Sequence, residues 1–152
     1  TTEIYTRKIV GSSDVYKRQV EELVEASEII CTTTPSKEPV LPNDRELLRG
    51  KCIIAIGSYT PDMREIPDAI WDLVERVYIE LPYACEESGD LSQPLAEGRL
   101  KKAQTVLMSD YLAEDPEEIT DTGETTYFKS VGMGLFDVCI AQKILEMTGS
   151  VK

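Results

Sequence analysis

Residues 51–66, KCIIAIGSYTPDMREI, limit what this chain can become more than any other stretch. Five of the first six are apolar: Cys52, Ile53, Ile54, Ala55 and Ile56. An unbroken β-branched run suits a strand covered on both faces, as in a parallel sheet, better than a half-exposed strand that alternates. At Gly57 the chain turns small, polar and proline-containing. In an open α/β sheet that change, at the carboxyl end of a strand, marks the place where ligands bind. The plain alternative is an ordinary strand followed by an ordinary loop.

The 152 residues make room for one ordinary domain, and 41% apolar with 29% charged residues reads as globular rather than disordered. With 16 Lys and Arg against 28 Asp and Glu, the net charge of −12 repels phosphate backbones, which argues against nucleic acid as a partner. There is no histidine, so the commonest general base and metal ligand are missing; a zinc site or a Ser-His-Asp triad is not expected. Cys31, Cys52, Cys85 and Cys139 form no C-x-x-C pair, and three sit in apolar runs where Cys acts as a small buried hydrophobe. No apolar run reaches the length of a membrane span, and a reducing cytoplasmic setting fits best.

Residues 13–19, SDVYKRQ, look like the in-frame translation of a transposon end used in sequencing libraries. They are set aside as a scar, and the whole of 1–19, with its possible strand at 1–10, is treated as doubtful. From Val20 a helix is expected, with Val20, Leu23, Val24 and Ser27 on one face. A strand over 28–34, a short helix capped by Asn43 or Asp44, the central strand, a helix over 68–76 and a strand over 77–80 follow. Further on, the expectation is a short helix at 82–88, a loop at 91–100, a helix at 103–113 and an acidic connector at 114–124. An extended segment at 125–129 then leads into a long helix at 131–147, whose apolar residues run round most of its circumference and call for burial on more than one side. This is the βαβ rhythm of a parallel sheet, with too few strands for a complete doubly wound domain.

The segments TTTPS and AIGS each put small hydroxyl residues at the tip of a buried strand, where hydroxyls and backbone N–H groups can hold parts of a dinucleotide. A G-x-G-x-x-G fingerprint in its proper context is absent. Gly132 and Gly134 read as points of close helix packing rather than a phosphate loop. Glu86, Glu87 and Asp90 read as a solvated rim, and Tyr127, Phe128, Met108 and Tyr111 as core.

In order, EIICTTTPSKEPVL, CIIAIGSYTPDMREI, ESGDLSQPL and TTYFKSVGMGLFD resemble blocks of the ornithine cyclodeaminase/mu-crystallin family. The resemblance implies an α/β fold: the C-terminal half of a Rossmann-type parallel sheet over 20–130. It also implies a C-terminal helix segment, 131–152, returning to a substrate and dimerisation domain that lies outside this chain. NAD or NADP is the implied cofactor, a small imino or amino acid the implied substrate, and a homodimer the implied full-length assembly. By position, the cofactor would meet Thr34, Ile53, Ile54, Ala55, Ile56, Gly57, Ser58 and Ser130, and the substrate Val131.

Where cyclodeaminases of the family have a proton-transferring Asp, this chain has Tyr59, and a nearby Lys is replaced by Met63. A phenol, with an ordinary pKa of about 10, does not serve as a carboxylate base at neutral pH. Both changes favour a ketimine reductase over ornithine cyclodeamination, with a non-catalytic NADPH or small-ligand binder as the other alternative. The family's glycine-rich turn, its ribose-reading acid and its catalytic Lys and Arg belong upstream of Val20 and are not found. The expectation is therefore a fragment that is inactive alone.

Overall fold

The computed structural model describes residues 14–113 and 123–149. Helix α1 (Asp14–Ala26) leads into strand β1 (Ile29–Thr32), the one-turn helix α2 (Arg45–Leu48) and strand β2 (Cys52–Ala55). A 3-10 turn at Asp68–Asp72 precedes strand β3 (Val77–Ile79), which is followed by helices α3 (Ala84–Glu87) and α4 (Gly89–Ala96). Strand β4 (Thr105–Leu107), helix α5 (Met108–Tyr111), strand β5 (Thr126–Lys129) and helix α6 (Gly134–Met147) complete the described chain. The possible strand at 1–10 and the connector residues 114–122 lie outside the described residues.

All strand pairings are parallel, in the order β1-β2-β5-β3-β4. The last strand in sequence thus enters the middle of the sheet, with Ile53 opposite Tyr127 and Val77 opposite Tyr127. Ile30, Ile53, Ala55, Val77, Ile79 and Tyr127 form a buried inner face against Val24, Leu48, Ile66, Ile70 and Leu91. Tyr127 meets Trp71 edge to face, with ring centroids 5.8 Å apart. The other face is less covered: Ile29 is exposed, and Cys52, Ile54 and Phe128 are half-buried. The central strand is therefore sealed on one face only, where the sequence pattern predicts two.

Several local expectations are corrected. Residues 105–107, read as helix, form an edge strand; Thr-Val-Leu is too short to show a period, and helix is confined to a 3-10 turn at Lys102–Gln104 and to Met108–Tyr111. The loop expected at 91–100 is mostly helix α4, started by Ser88, whose hydroxyl accepts from the Asp90 N–H. Pro94 sits inside that helix and accounts for the misreading. Of the four cysteines only Cys85 is buried; Cys31 and Cys139 are exposed, because their strand and helix faces lack a covering layer.

Helix α6 is exposed along its whole length instead of buried, with Leu135, Val138, Ile140 and Ile144 all more than half accessible. Nor do Gly132 and Gly134 mark close packing, since a Cβ on either would meet nothing within 4 Å. Gly132 serves the backbone instead: its φ of +85° is a left-handed turn that glycine adopts without strain. For the capping residue, Asp44 accepts from the Glu46 N–H at 2.8 Å, while the Asn43 side chain accepts from Ala69 N.

Candidate functional site

The carboxyl ends of β1, β2 and β5 lie side by side because these strands are neighbours in one parallel sheet. The Ile56 N–H donates to Thr32 O at 2.9 Å, carrying the β1–β2 pairing past the last strand residue. The Ser130 N–H donates to Ala55 O at 3.0 Å and does the same for β2 and β5. Beyond these bonds the chain of β2 comes so near that of β1 that a Cβ on Gly57 would lie 2.2 Å from both Thr34 N and Thr34 O. Only glycine fits there.

A buried carboxylate, Glu65, fastens the two tips. Its Oε1 accepts from Thr34 N at 2.5 Å and from Thr34 Oγ1 at 2.9 Å, and its Oε2 accepts from Gly57 N at 2.7 Å. Charge-assisted bonds of this kind are stronger than neutral ones and orient both loops at once. Glu65 is itself set by Asp90, whose Oδ1 accepts from the Glu65 and Ile66 N–H groups at 2.7 and 3.0 Å. The other Asp90 oxygen stands 3.3 Å from Lys129 Nζ, and both side chains are fully buried. On the far side, Glu80 Oε1 accepts from Val131 N at 2.9 Å.

Asp90 therefore belongs to the interior and not to a solvated rim. Burial pushes its carboxyl above the ordinary range, and the Lys129 charge and two backbone N–H bonds only partly draw it back. Burial pushes the Lys129 ammonium down, against the pull of Asp90, Glu65 and Glu80. The Tyr127 phenol, buried beside Asp90 and Glu65, is driven well above its usual value, first by desolvation. Sequence reasoning missed Glu65, Glu80, Asp90 and Lys129 as a group, because their proximity is created by the sheet order.

The residues named from sequence separate into two sets. Ile53, Ala55 and Ser58 are buried; Ser58 Oγ donates to Met63 O at 2.8 Å and lies 2.8 Å from Ser88 Oγ. Ile54 is half-buried on the outer face. Thr34, Ile56, Gly57, Ser130 and Val131 gather at the strand ends and keep some exposure, and Tyr59, 51% exposed, stands on the loop beyond Gly57. Over that loop Lys37 reaches Asp62 at 2.7 Å. Hydrogen bonds from Lys37 and Thr60, with the Lys37 charge, hold the Asp62 carboxyl down at about 2.

These strand ends keep free hydrogen-bonding capacity. Thr34 Oγ1, already donating to Glu65, keeps acceptor capacity, and Ser130 Oγ, accepting from the Gly132 N–H, keeps its hydrogen to donate. Ile56 offers an exposed apolar side chain at the same edge, while the space beside Gly57 is taken up by the Thr34 backbone. A concavity of about 340 Å³ lined by Asn43, Arg45, Asp68, Ala69, Trp71, Asp72 and Arg99 shares no residue with the strand ends. Its charges are already paired, Arg45 with Asp72 and Arg99 with Asp68. Among the described residues no group of His, Cys, Asp or Glu could hold a metal ion, and no helix is long and apolar enough to cross a membrane.

The model of the ornithine cyclodeaminase/mu-crystallin family matches residues 7–151, a span that includes the segment set aside at 13–19. Delta(1)-pyrroline-2-carboxylate reductase of Bacillus cereus is 31% identical over 132 residues, covering 82% of this chain and 38% of the relative. Ketimine reductase mu-crystallin of Mus musculus is 30% identical over 140 residues, covering 88% of this chain and 40% of the relative. The structure of Thermococcus litoralis Delta(1)-pyrroline-2-carboxylate reductase in complex with NADH and L-proline superposes with a TM-score of 0.65. At 22% identity it covers 85% of this chain and 41% of that one, a likeness of fold. The chain thus spans about two fifths of the length of the relatives it matches.

Proposed function

The chain belongs to the ornithine cyclodeaminase/mu-crystallin family, and from that premise we propose that it forms part of an NAD(P)-dependent imine reductase. The substrate class is a small cyclic imino acid of the pyrroline-carboxylate or ketimine kind. The observation that carries this reading is the fastening of Thr34 to Gly57 by Glu65 at the carboxyl edge of a parallel sheet. On this reading residues 20–130 are the nucleotide-binding part, and 131–152 pack on a substrate and dimerisation domain outside the chain. A homodimer and a cytoplasmic setting belong to the same proposal.

When bound, the reduced nicotinamide would supply a hydride to the imine carbon while the nitrogen takes a proton, turning C=N into CH–NH. This chain's residues act by holding the ring: Thr34 and Ser130 offer an acceptor and a donor to its amide, and Ile56 covers its apolar side. Val131, whose N–H is fixed by Glu80, borders the substrate. Tyr59 can donate a hydrogen bond to the substrate carboxylate. Its place where cyclodeaminases have Asp supports reduction over ornithine cyclodeamination.

The test has two steps. The chain is titrated with NADH and NADPH, and the polypeptide with its upstream domain restored is assayed for ketimine-dependent oxidation of the cofactor. Binding with oxidation supports the reductase. Binding without oxidation supports the second reading, a mu-crystallin-like binder without turnover, and proline formation from ornithine would return the chain to the cyclodeaminases. Turnover by the 152 residues alone would overturn the reading of this chain as a part.

A further inference from the structure

Lys129 ends β5 in register with Ala55 of β2 and Ile79 of β3, so its side chain enters the core where three strands finish. It is fully buried and faces Asp90 Oδ2 at 3.3 Å, and the charges of Glu65 and Glu80 also bear on it. The ammonium thus pairs with Asp90 within the field of two further buried carboxylates, and each of the three acids holds a different backbone segment. Glu65 holds the Thr34 and Gly57 N–H groups, Asp90 the N–H groups of Glu65 and Ile66, and Glu80 the Val131 N–H.

The remaining groups of the cluster do not compete with Lys129. The Tyr127 hydroxyl, two residues back on the same face, lies beside Asp90 and Glu65 but makes no hydrogen bond. Arg64, also near it, is spent on Asp68 and the Ile66 carbonyl. Replacing both members of a buried ion pair by apolar groups is often neutral or stabilising, so the pair is not explained by stability alone, although removing one member leaves a buried charge unpaired. What a methionine could not do is hold the Asp90 carboxylate to the end of β5.

We propose that Lys129 is a positioning residue: it couples the Thr34–Gly57 groove to the Ser130–Val131 turn, so that both walls of the nicotinamide seat move as one. The inference rests on the nucleotide reading above, but the coupling itself is a property of the unliganded chain. Lys129 acts through Asp90 and Glu65 on one side, and on the other through its own strand end, which runs directly into Ser130 and Val131, where Glu80 holds the Val131 N–H.

The experiment uses the whole chain as Lys129→Met, as Asp90→Asn, and as both together, followed by backbone amide spectra and NADH titration. In Lys129→Met the amide signals of Thr34, Gly57 and Val131 are expected to shift together, while those of α2 and the turn at Lys102–Gln104 stay put. NADH affinity should fall about tenfold or more. The double variant, which removes both charges, should recover thermal stability, yet keep the displaced Gly57 and Val131 signals and the weak binding. It also serves should Lys129→Met alone fail to fold. If the double variant returns the three amides and the affinity to their original values, or if Lys129→Met moves only its β5 neighbours, the coupling is refuted. Should the parent chain not bind NADH at all, the nucleotide reading fails, and the amide shifts still decide whether groove and turn are linked.

Discussion

Gly57 lies so close to Thr34 that a single added carbon would overlap the backbone of the neighbouring strand end, at 2.2 Å from its nitrogen and its carbonyl oxygen. Neither atom is the free end of a side chain, so neither can swing aside. Gly57→Ala is therefore expected to push the β1 and β2 tips apart and cost about 3 kcal/mol, at the upper end of overpacking effects. Gly98, with a φ of +74° and open space where a Cβ would go, is the control. Gly98→Ala should cost only about 1 kcal/mol, for its left-handed backbone. Urea denaturation of both variants measures the difference.

Glu65→Gln tests the fastening itself. The carboxylate accepts three hydrogen bonds on two oxygens. A glutamine offers one oxygen and turns an NH2 donor toward one of the N–H groups. The expected loss is about 2–3 kcal/mol, as for a hydrogen bond to a charged group followed by an unsatisfied donor. Amide hydrogen exchange at Thr34 and Gly57 should quicken much more than exchange in the centre of β2. Uniform quickening across the sheet would mean that Glu65 stabilises the fold without holding the groove.

Asp90 contributes a pH dependence of defined sign. With its carboxyl raised by burial, Asp90 binds its proton more tightly folded than unfolded. Its contribution to stability is complete below the unfolded value of about 3.9 and is lost as pH rises through the raised folded value. Lys129→Met removes the charge that pulls the carboxyl back down, so it widens this window and steepens the fall. Near pH 7 the single variant should lose about 3–5 kcal/mol, the usual result of leaving one buried charge alone. Denaturation of both proteins in steps from pH 4 to 8 follows the slopes.

Asp62 shifts the other way, and for an external reason. Lys37 and Thr60 lower its carboxyl to about 2 by hydrogen bonding on an exposed loop. Lys37→Ala should return the carboxyl toward an ordinary Asp value, seen by carbon NMR titration. Salt of about 1 M, where the screening length is about 3 Å, should do part of the same. Thermal stability should scarcely change, because exposed ion pairs contribute little.

The strands at 29–32, 52–55 and 77–79 were legible because β-branched residues cluster there and the chain turns polar after each. The adjacency of Thr34 and Gly57 follows from the parallel pairing of β1 with β2. The ion cluster was not legible. Asp90 sits after Glu86 and Glu87, where composition alone suggests a wet acidic surface, and Lys129 ends an ordinary-looking strand. Only the insertion of β5 between β2 and β3 brings them together, and strand order is not written in local periodicity. Sequence and structure part again at the last helix: an apolar circumference does call for cover, but the described residues supply none.

That helix yields the last prediction. Every residue of α6 is exposed, whereas Val131, just before it, still packs on the core. Ending the chain after Met133 should therefore leave the unfolding free energy within about 1 kcal/mol of the original, because no buried contact is lost. Removing Leu135, Phe136, Val138, Ile140, Ile144 and Leu145 takes away a large exposed apolar surface of the kind that drives association. Light scattering against concentration should show self-association in the intact chain and much less in the shortened one. A shortened chain that unfolds far more readily would mean that α6 lies against the sheet in solution, over the half-covered face of Ile54 and Phe128.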